Sequence, residues 1–259
     1  MILQSLYALY DRLKEEANNL YRIAPPGYSL QKIAFRVVLK PNGELFDIHD
    51  MRTHDGKNLR PQQLFVPGNT KAPGSGLNPC FLWDNTGYML GFKPDDPNPE
   101  RTKKTFEAFR DRHLQLEKEL ESTAFSAVCR FLESWDPECA KNFPVLQEID
   151  AGFGIFQIVG QTSFVHEDQS IKHWWKKSSQ AEGTALETGQ CLLTGLTGPV
   201  ATLQPMIKGV MGGKAQASLV SFNESAYESY GKKQSLNAPV APEAAFRYTT
   251  ALNALLDGP

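Results

Sequence analysis

The sequence predicts an α+β fold, with mixed or antiparallel sheet regions, a helical insertion and a C-terminal helix. Three observations support this class. Apolar residues recur at helical spacing in several windows, runs of β-branched and aromatic residues occur in others, and the two kinds of window do not alternate as they do in a βαβ chain. The chain has 259 residues, enough for one large domain or two modest ones with a core that needs no disulfide or metal.

The N-terminal region predicts one amphipathic helix followed by a β-hairpin. Apolar residues between Leu3 and Leu20 recur three and four positions apart, which gives the helix an apolar stripe. After a Pro-Pro-Gly break at 25–27, residues 32–39 and 44–51 predict two strands joined by a turn at Asn42-Gly43. The region that follows, up to residue 88, is dense in glycine and proline, and so long a loop in a compact chain is commonly functional.

The rest of the chain predicts a helical insertion at about 98–136 and a second half at about 151–259. Asn98 and Pro99 are suited to begin the first of two helices, and Asp136-Pro137 ends the second. The remaining predicted elements are strands near 153, at 191–194, 200–203 and 217–222, and helices at 169–177, 224–230 and 242–256.

Composition places the protein among soluble, cytoplasmic chains. Hydrophobic residues make up 41% and charged residues 22% of the sequence, and no apolar run approaches a membrane span. The N-terminus has no basic segment before its apolar residues, which argues against a secretory signal. None of the four cysteines forms a C-x-x-C pair, so neither a disulfide framework nor a zinc site is indicated.

Two long segments contain no carboxylate. Residues 56–83 and residues 188–223 have no Asp or Glu, although the formal net charge of the chain is −2. Both segments are rich in short polar residues and glycine, whose donors suit a polyanion such as DNA. The alternative is that these residues form only buried strands and tight loops.

Several motifs have the residue types of catalytic sites. The glycine cluster at 209–218 fails as a nucleotide-binding P-loop, because Lys208 stands where its first glycine belongs and Ala215 where Ser or Thr belongs. Two interpretations of this cluster stay open: a flexible glycine hinge whose amides and lysines bind phosphate, and a loop with only a structural role. Ser229 and Lys232 have the spacing of a nucleophile pair without further support.

The histidines and tryptophans have structural as well as functional interpretations. His113 lies on the apolar stripe of its helix and is predicted to be a hydrogen-bonded core histidine, and Trp83 a core anchor. Adjacent Trp174 and Trp175 could stack on unpaired bases, but about 100° separates neighbours on a helix, so we expect one in the core and one at its rim.

Ten segments occur in the order seen in one known family. They are MILQSLYALYDRL, APPGYSLQKIAFRVVL, LRPQQLFVPG, FLWDNTGYMLG, FEAFRDRHLQL, FLESWDPE, VHEDQSIKHWWKK, CLLTGLTGPVATLQPMIKGV, QASLVSFNESAYESYGK and NAPVAPEAAFRYTTALNALL. Over essentially its whole length the chain resembles the type I-C CRISPR-associated Cascade large subunit. Members of that family are longer, so the resemblance implies an N-terminal domain, residues 1–259, without the family's C-terminal helical domain.

The resemblance implies a non-catalytic role that needs no cofactor or metal. Such a subunit inspects the protospacer-adjacent motif in target double-stranded DNA and starts R-loop formation, while the guide RNA reads sequence. The implied partners are the guide RNA complex, the Cascade subunits at the guide 5′ end and along its backbone, and the helicase-nuclease. The candidate DNA-binding residues come from the two carboxylate-free segments: Asn69, Lys71, Ser75, Asn78, Lys208, Lys214, Gln216 and Ser218.

Two other functions stay open on the sequence alone. A metal-dependent nuclease or phosphohydrolase would use the two His-Asp pairs, His49-Asp50 and His54-Asp55. A scaffold that touches only protein would bury the glycine-rich loops at subunit contacts.

Overall fold

The computed structural model describes residues 2–15, 21–69, 76–181, 187–210, 217–222 and 224–258. It confirms the α+β class, and the chain divides into two compact units. One unit comprises Gly27–Lys177; the other comprises Met1–Pro26 and Ser178–Pro259. No helix in the described part of the chain is both long and apolar enough to cross a membrane.

The 27–177 unit is built on a five-stranded sheet. Its strands are β1 (Tyr28–Leu39), β2 (Leu45–Asp50), β5 (Gln62–Pro67), β6 (Trp83–Asn85) and β7 (Phe153–Ile158), and β3 (Thr53–Asp55) with β4 (Asn58–Arg60) forms a separate hairpin. β1 is central: it pairs antiparallel with β2 and β5 and parallel with β7, whose other edge carries β6. The predicted hairpin at 32–51 is therefore confirmed.

Helices cover the sheet of this unit. They are α2 (Thr86–Leu90), α3 (Pro99–Leu116), α4 (Thr123–Ser134), α5 (Pro144–Ile149) and α6 (Gln169–Ala181). The predicted start of α3 is confirmed, because the side chain of Asn98 accepts a hydrogen bond from the amide of Arg101. Ser122 caps α4 in the same way, accepting from the amide of Phe125. Phe35 and Phe156 from the sheet pack with Phe109, Phe125 and other side chains of these helices in one buried cluster, which fixes the helices on the sheet.

The other unit contains mainly two helices. They are α1 (Ile2–Glu15) and α7 (Pro242–Asp257), accompanied by the short strands β8 (Thr188–Gln190) and β9 (Thr197–Pro199). Tyr10 and Leu13 of α1 pack with Ala251 of α7, and Arg247 of α7 forms an ion pair with Asp11 (2.8 Å). Both helices agree with the sequence prediction, although Ala17 and Leu20 of the apolar stripe lie outside the described residues.

The predicted strands at 191–194, 200–203 and 217–222 are wrong. The first is a turn in which the Gly195 amide bonds to the Cys191 carbonyl (2.8 Å), and Gly195 has a positive φ of 74°. Glycine favours that backbone conformation, so the leucine-rich run turns between β8 and β9. Residues 200–203 form no strand, and of residues 217–222 only Ala217 forms a bridge, to Ile207. The predicted helix at 224–230 is a 3₁₀ turn over Ser225–Tyr227.

Candidate nucleic-acid interface

The glycine- and proline-rich segment after β5 begins at Gly68, and its residues 70–75 lie outside the described residues. Pro67 ends β5, and the Gly68 amide donates to the carbonyl of Gly27 (2.8 Å). Gly68 has a φ of 93°, a left-handed conformation that glycine adopts without strain. Asn69, the next residue, is exposed.

The loop returns through Asn78 to a short buried segment. Gly76, Leu77 and Asn78 are exposed, and the Asn78 amide donates to the hydroxyl of Tyr88 (3.2 Å). The guanidinium of Arg112 on α3 donates to the carbonyl of Pro79. The chain is therefore held by hydrogen bonds at Gly68 and again at Asn78 and Pro79.

Buried aromatic rings lie beneath both ends of this loop. The Trp83 indole N–H donates to the carbonyl of Pro67 (2.7 Å), and the Trp175 indole N–H donates to the carbonyl of Gly27 (2.8 Å). Phe81 stacks on Trp175, with ring centroids 5.1 Å apart, and also contacts Trp174 at 5.3 Å. Trp83 is confirmed as a core anchor, and Trp175 is buried while Trp174 is partly buried, as the spacing on the helix predicts.

The segment after the loop carries an unusual backbone conformation at Leu82. Leu82 has a φ of 62°, and its amide donates to Nε2 of His113 (3.0 Å). Nδ1 of the same ring donates to the carbonyl of Phe109 (2.7 Å), so the imidazole uses both nitrogens. Burial lowers the pKa of His113 to about 3, which keeps the ring neutral. This confirms the prediction of a hydrogen-bonded core histidine.

A second buried histidine supports the start of the loop from β5. His166 is 2% exposed, and its Nε2 donates to the carbonyl of Phe65 (3.1 Å). Its Nδ1 has no hydrogen-bond partner, and burial lowers the pKa of His166 to about 4. Sequence reasoning missed this role, because a histidine within a short acidic segment has no periodic pattern to place it.

The predicted site residues fall into two groups on the two compact units. Asn69 and Asn78 are exposed on either side of the same loop of the 27–177 unit, and Lys71 and Ser75 lie outside the described residues. In the other unit, Lys208 is half-buried and Ser218 is exposed, with the Ile207–Ala217 bridge between their segments. Lys214 and Gln216 lie outside the described residues, so the described members are surface residues except for Lys208.

The second carboxylate-free segment is attached to α7. The Lys208 amide donates to Oδ1 of Asn253 (2.9 Å), and Nδ2 of Asn253 donates to the carbonyl of Met206 (3.0 Å). Gly209 has a φ of 76° and lies beside Leu256. One asparagine side chain thus fixes the backbone next to Lys208.

The His-Asp pairs are each engaged with neighbouring side chains. His49 accepts a hydrogen bond from Arg36 at Nδ1 (3.2 Å) and donates from Nε2 to Asp47 (3.0 Å). Arg52 holds Asp50 at 2.7 Å; burial raises the pKa of Asp50 but the hydrogen bonds from Arg52 lower it, and the net shift is downward. Asp55 is paired with Arg60 at 2.8 Å.

In the described ranges no group of three or more His, Cys, Asp or Glu side chains is placed to hold a metal ion. The four side chains of the nuclease alternative are divided between β2 and the β3–β4 hairpin, and both carboxylates lie against arginines. Nothing in this arrangement favours the nuclease alternative over a binding role.

Comparison with known proteins identifies one family. A family model described as CRISPR-associated protein (Cas_Csd1) matches residues 6–259. The match includes both carboxylate-free segments and α6. No curated protein sequence matches the chain.

Proposed function

Because the chain belongs to the Cas_Csd1 family of CRISPR-associated proteins, the large subunits of type I-C Cascade, we propose that it recognises the protospacer-adjacent motif in target double-stranded DNA. Recognition at the loop of residues 69–79 would begin strand opening, after which the guide RNA pairs with the target strand. The role is non-catalytic and needs no cofactor. The partners are the guide RNA complex, the neighbouring Cascade subunits and the helicase-nuclease in the cytoplasm.

One observation carries the proposal: exposed polar residues stand at both edges of a segment without carboxylates, and both edges are fixed on the core. Asn69 follows the anchored Gly68, and Asn78 precedes Pro79, whose carbonyl is held by Arg112. An asparagine amide can donate and accept at a base edge, and a reading group must be held close to its productive geometry to discriminate between bases. The loop combines the two requirements.

The charge of the loop surroundings agrees with an approach of DNA. The nearest carboxylate in sequence is Asp84, which is fully buried and accepts hydrogen bonds from the amides of Cys80 (2.9 Å) and Asn85 (2.7 Å). The two backbone donors offset part of the negative charge of this carboxylate, and burial keeps it out of contact with a bound phosphate. Residues 56–83 contain Lys57, Arg60 and Lys71, of which Arg60 is paired with Asp55.

The test uses complete Cascade assembled with guide RNA and two duplexes that differ only in the protospacer-adjacent motif. Asn69→Ala and Asn78→Ala should weaken binding of the motif-containing duplex about tenfold or more, because each good base contact contributes about 1–3 kcal/mol of discrimination. Binding of the motif-free duplex should stay unchanged. Asn142→Ala, at another exposed asparagine, is the control.

Lysine variants test phosphate binding separately. Lys71→Ala, and Lys208→Ala with Lys214→Ala, should weaken both duplexes equally and reduce the salt slope by about 0.9 for each phosphate that is no longer neutralised. Unchanged discrimination in both asparagine variants would show that another part of the complex reads the motif.

A further inference from the structure

Helix α6 carries a positive charge that no carboxylate of the helix balances. Its sequence, Gln169–Ala181, contains no Asp or Glu and four basic side chains: Lys172, His173, Lys176 and Lys177. Residues 172 and 176 are four apart, as are 173 and 177, so basic groups neighbour one another along one side of the helix. Like charges at this spacing disfavour a helix in isolation and are relieved when an anion binds between them.

The two acidic residues just before α6 both accept hydrogen bonds from backbone amides. Oδ1 of Asp168 accepts from the amides of Ser170 (3.0 Å) and Ile171 (3.3 Å), and Oε2 of Glu167 accepts from the amide of Phe164 (2.9 Å). Asp168 therefore caps the N-terminal end of α6, and Glu167 closes the 3₁₀ turn Val165–Glu167 before it, whereas Lys176 and Lys177 lie two turns further along. Lys172 lies one turn from Asp168, and the other basic residues of the helix lie further from both carboxylates.

The other side of α6 supports both ends of the 69–79 loop. Ile171 is fully buried, and Trp175 is 9% exposed with its indole N–H bonded to Gly27. A Cβ atom added to Gly68 would lie 3.8 Å from the Trp175 ring. Phe81 stacks on the same ring. Because Gly68 and Phe81 flank the loop, the basic side of α6 stands about one helix diameter, roughly 10–12 Å, from its base.

The exposed side of α6 has the composition of a surface for phosphate rather than for protein. Among the described side chains of the helix, those exposed outside the basic set are Gln169 and Ser170, and the apolar residues Ile171, Trp174 and Trp175 all pack on the core. Protein interfaces are depleted in lysine and have an apolar centre, whereas phosphate contacts are made by lysines and short polar groups.

We propose that the basic side of α6, formed by Lys172, His173, Lys176 and Lys177, binds the phosphate backbone of the duplex whose bases contact the 69–79 loop. This inference rests on the proposed function and assigns its sequence-independent contacts to a helix that is packed against both loop ends. Phosphate contacts fix the register of a protein on DNA, while base contacts specify the sequence. Because α6 and both ends of the loop pack on the rings of Trp175 and Phe81, phosphate contacts by α6 would hold the DNA at a constant position relative to Asn69 and Asn78.

The experiment compares two triple variants in complete Cascade with guide RNA. Lys172→Gln, Lys176→Gln and Lys177→Gln remove three charges from α6. Lys103→Gln, Lys104→Gln and Lys118→Gln remove three exposed charges from α3 and the turn after it, as the matched control. Lysine and glutamine have similar helix propensities, so neither triple variant is expected to unfold its helix.

The dissociation constant is measured for motif-containing and motif-free duplexes over a range of salt concentrations. We expect the α6 variant to weaken both duplexes by the same factor, about tenfold or more, and to reduce the magnitude of the salt slope by about 2–3. The ratio between the two duplexes should be preserved. The control variant should match the unmodified complex in both quantities.

Two results would overturn the inference. If the α6 and control variants have equal affinity and salt slope, α6 does not contact phosphate, and the proposed function still stands or falls on Asn69 and Asn78. If the α6 variant alone fails to assemble into Cascade, its basic side contacts the guide RNA or a neighbouring subunit instead. A third result separates the two proposals: if the α6 variant weakens both duplexes while the asparagine variants keep full discrimination, α6 binds phosphate and the motif-reading proposal is wrong.

Discussion

Residues 56–83 and residues 188–223 share a composition without carboxylates, but the protein holds them in different ways. The first segment ends in three side chains that are at most 1% exposed: Phe81, Leu82 and Trp83. The second buries Val200 and Ile207 but exposes three leucines by 60% or more: Leu192, Leu196 and Leu203. Composition alone therefore does not reveal how firmly a loop is attached to the protein.

The difference affects what each segment can do. The Trp175 ring lies beside Gly68 and stacks on Phe81, so it fixes the positions of both ends of the first loop. A residue that reads bases requires such a fixed position. The second segment is held near Lys208 by hydrogen bonds to one side chain, Asn253. Such an attachment suits phosphate contacts, whose geometry is less exacting than that of base contacts.

The largest expected contrast between the segments is in stability. Trp83→Ala should lower the free energy of unfolding of the 27–177 unit by about 3–5 kcal/mol, because it leaves a cavity in a fully buried site and removes the hydrogen bond to Pro67. Leu203→Ala, at a side chain 85% exposed, should change stability by less than about 0.5 kcal/mol. Hydrogen exchange in each unit, measured as a function of denaturant concentration, gives the change in the free energy of unfolding for each variant. Similar losses of stability in the two variants would contradict the contrast between the segments.

Acid should destabilise the unit that carries the first segment. His113 and His166 have folded-state pKa values of about 3 and about 4, below the ordinary value of 6.5. Between the folded-state pKa values and the ordinary value, the unfolded chain binds more protons than the folded one. The contribution of these histidines to the free energy of unfolding is therefore largest above pH 6.5 and is lost as the pH falls. From pH 6.5 to pH 5, protonation of these two residues in the unfolded chain should lower the free energy of unfolding of the 27–177 unit by about 3 kcal/mol.

The other unit supplies an internal control for this pH dependence. All five histidines of the chain lie within residues 27–177, at positions 49, 54, 113, 166 and 173. Hydrogen exchange at pH 6.5 and pH 5, corrected for intrinsic rates, should show reduced protection in β1 and β7 but not in α1 or α7. His166→Gln should halve the pH dependence, and equal reductions in both units would contradict the assignment.

Local patterns predict the elements whose structure is decided locally. The Asn42-Gly43 turn gives the β1–β2 hairpin, and the Asn98 cap with Pro99 gives the start of α3. The parallel pairing of β1 with β7 joins residues more than a hundred positions apart, which no local pattern encodes. The leucine-rich run at 191–194 has the composition of a strand, but the effect of Gly195 on the turn outweighs that composition.

The residues of the candidate interface are a prediction from the sequence, whereas the contacts that support them are visible only in the structure. The absence of carboxylates directs attention to Asn69 and Asn78, which the structure places on the surface. The stacking of Phe81 on Trp175 depends on the tertiary packing of a loop end against α6, about ninety residues away in sequence. For that reason the basic side of α6 could not be related to the loop from spacing alone.

A smaller effect is expected where the second segment is attached. Asn253→Ala removes the acceptor of the Lys208 amide and the donor to the Met206 carbonyl, which should cost about 1–2 kcal/mol. The Lys208 amide should then exchange faster, as measured by hydrogen exchange. Leu255→Ala, two residues along α7 and 42% exposed, should leave that exchange rate unchanged. An unchanged rate in Asn253→Ala would show that other interactions hold this segment.

The smallest expected effect on stability compares two glycines of the same conformation, one in each segment. Gly68 and Gly209 have φ values of 93° and 76°, and a Cβ at either would meet its nearest neighbour at ordinary contact distance, 3.8 Å and 3.6 Å. Gly68→Ala and Gly209→Ala should therefore cost the same, about 1 kcal/mol, from backbone strain alone.

Their effects on DNA binding should differ despite that equal cost. Relieving the strain at Gly68 moves Asn69, so Gly68→Ala should reduce discrimination between motif-containing and motif-free duplexes. Gly209→Ala should leave the ratio unchanged, because the segment beside it is proposed to contact only phosphate. The two dissociation constants, measured in complete Cascade for each variant, give the ratio directly. Equal loss of discrimination in both variants would mean that the second segment also reads bases, and that attachment to the core does not separate the roles of the two segments.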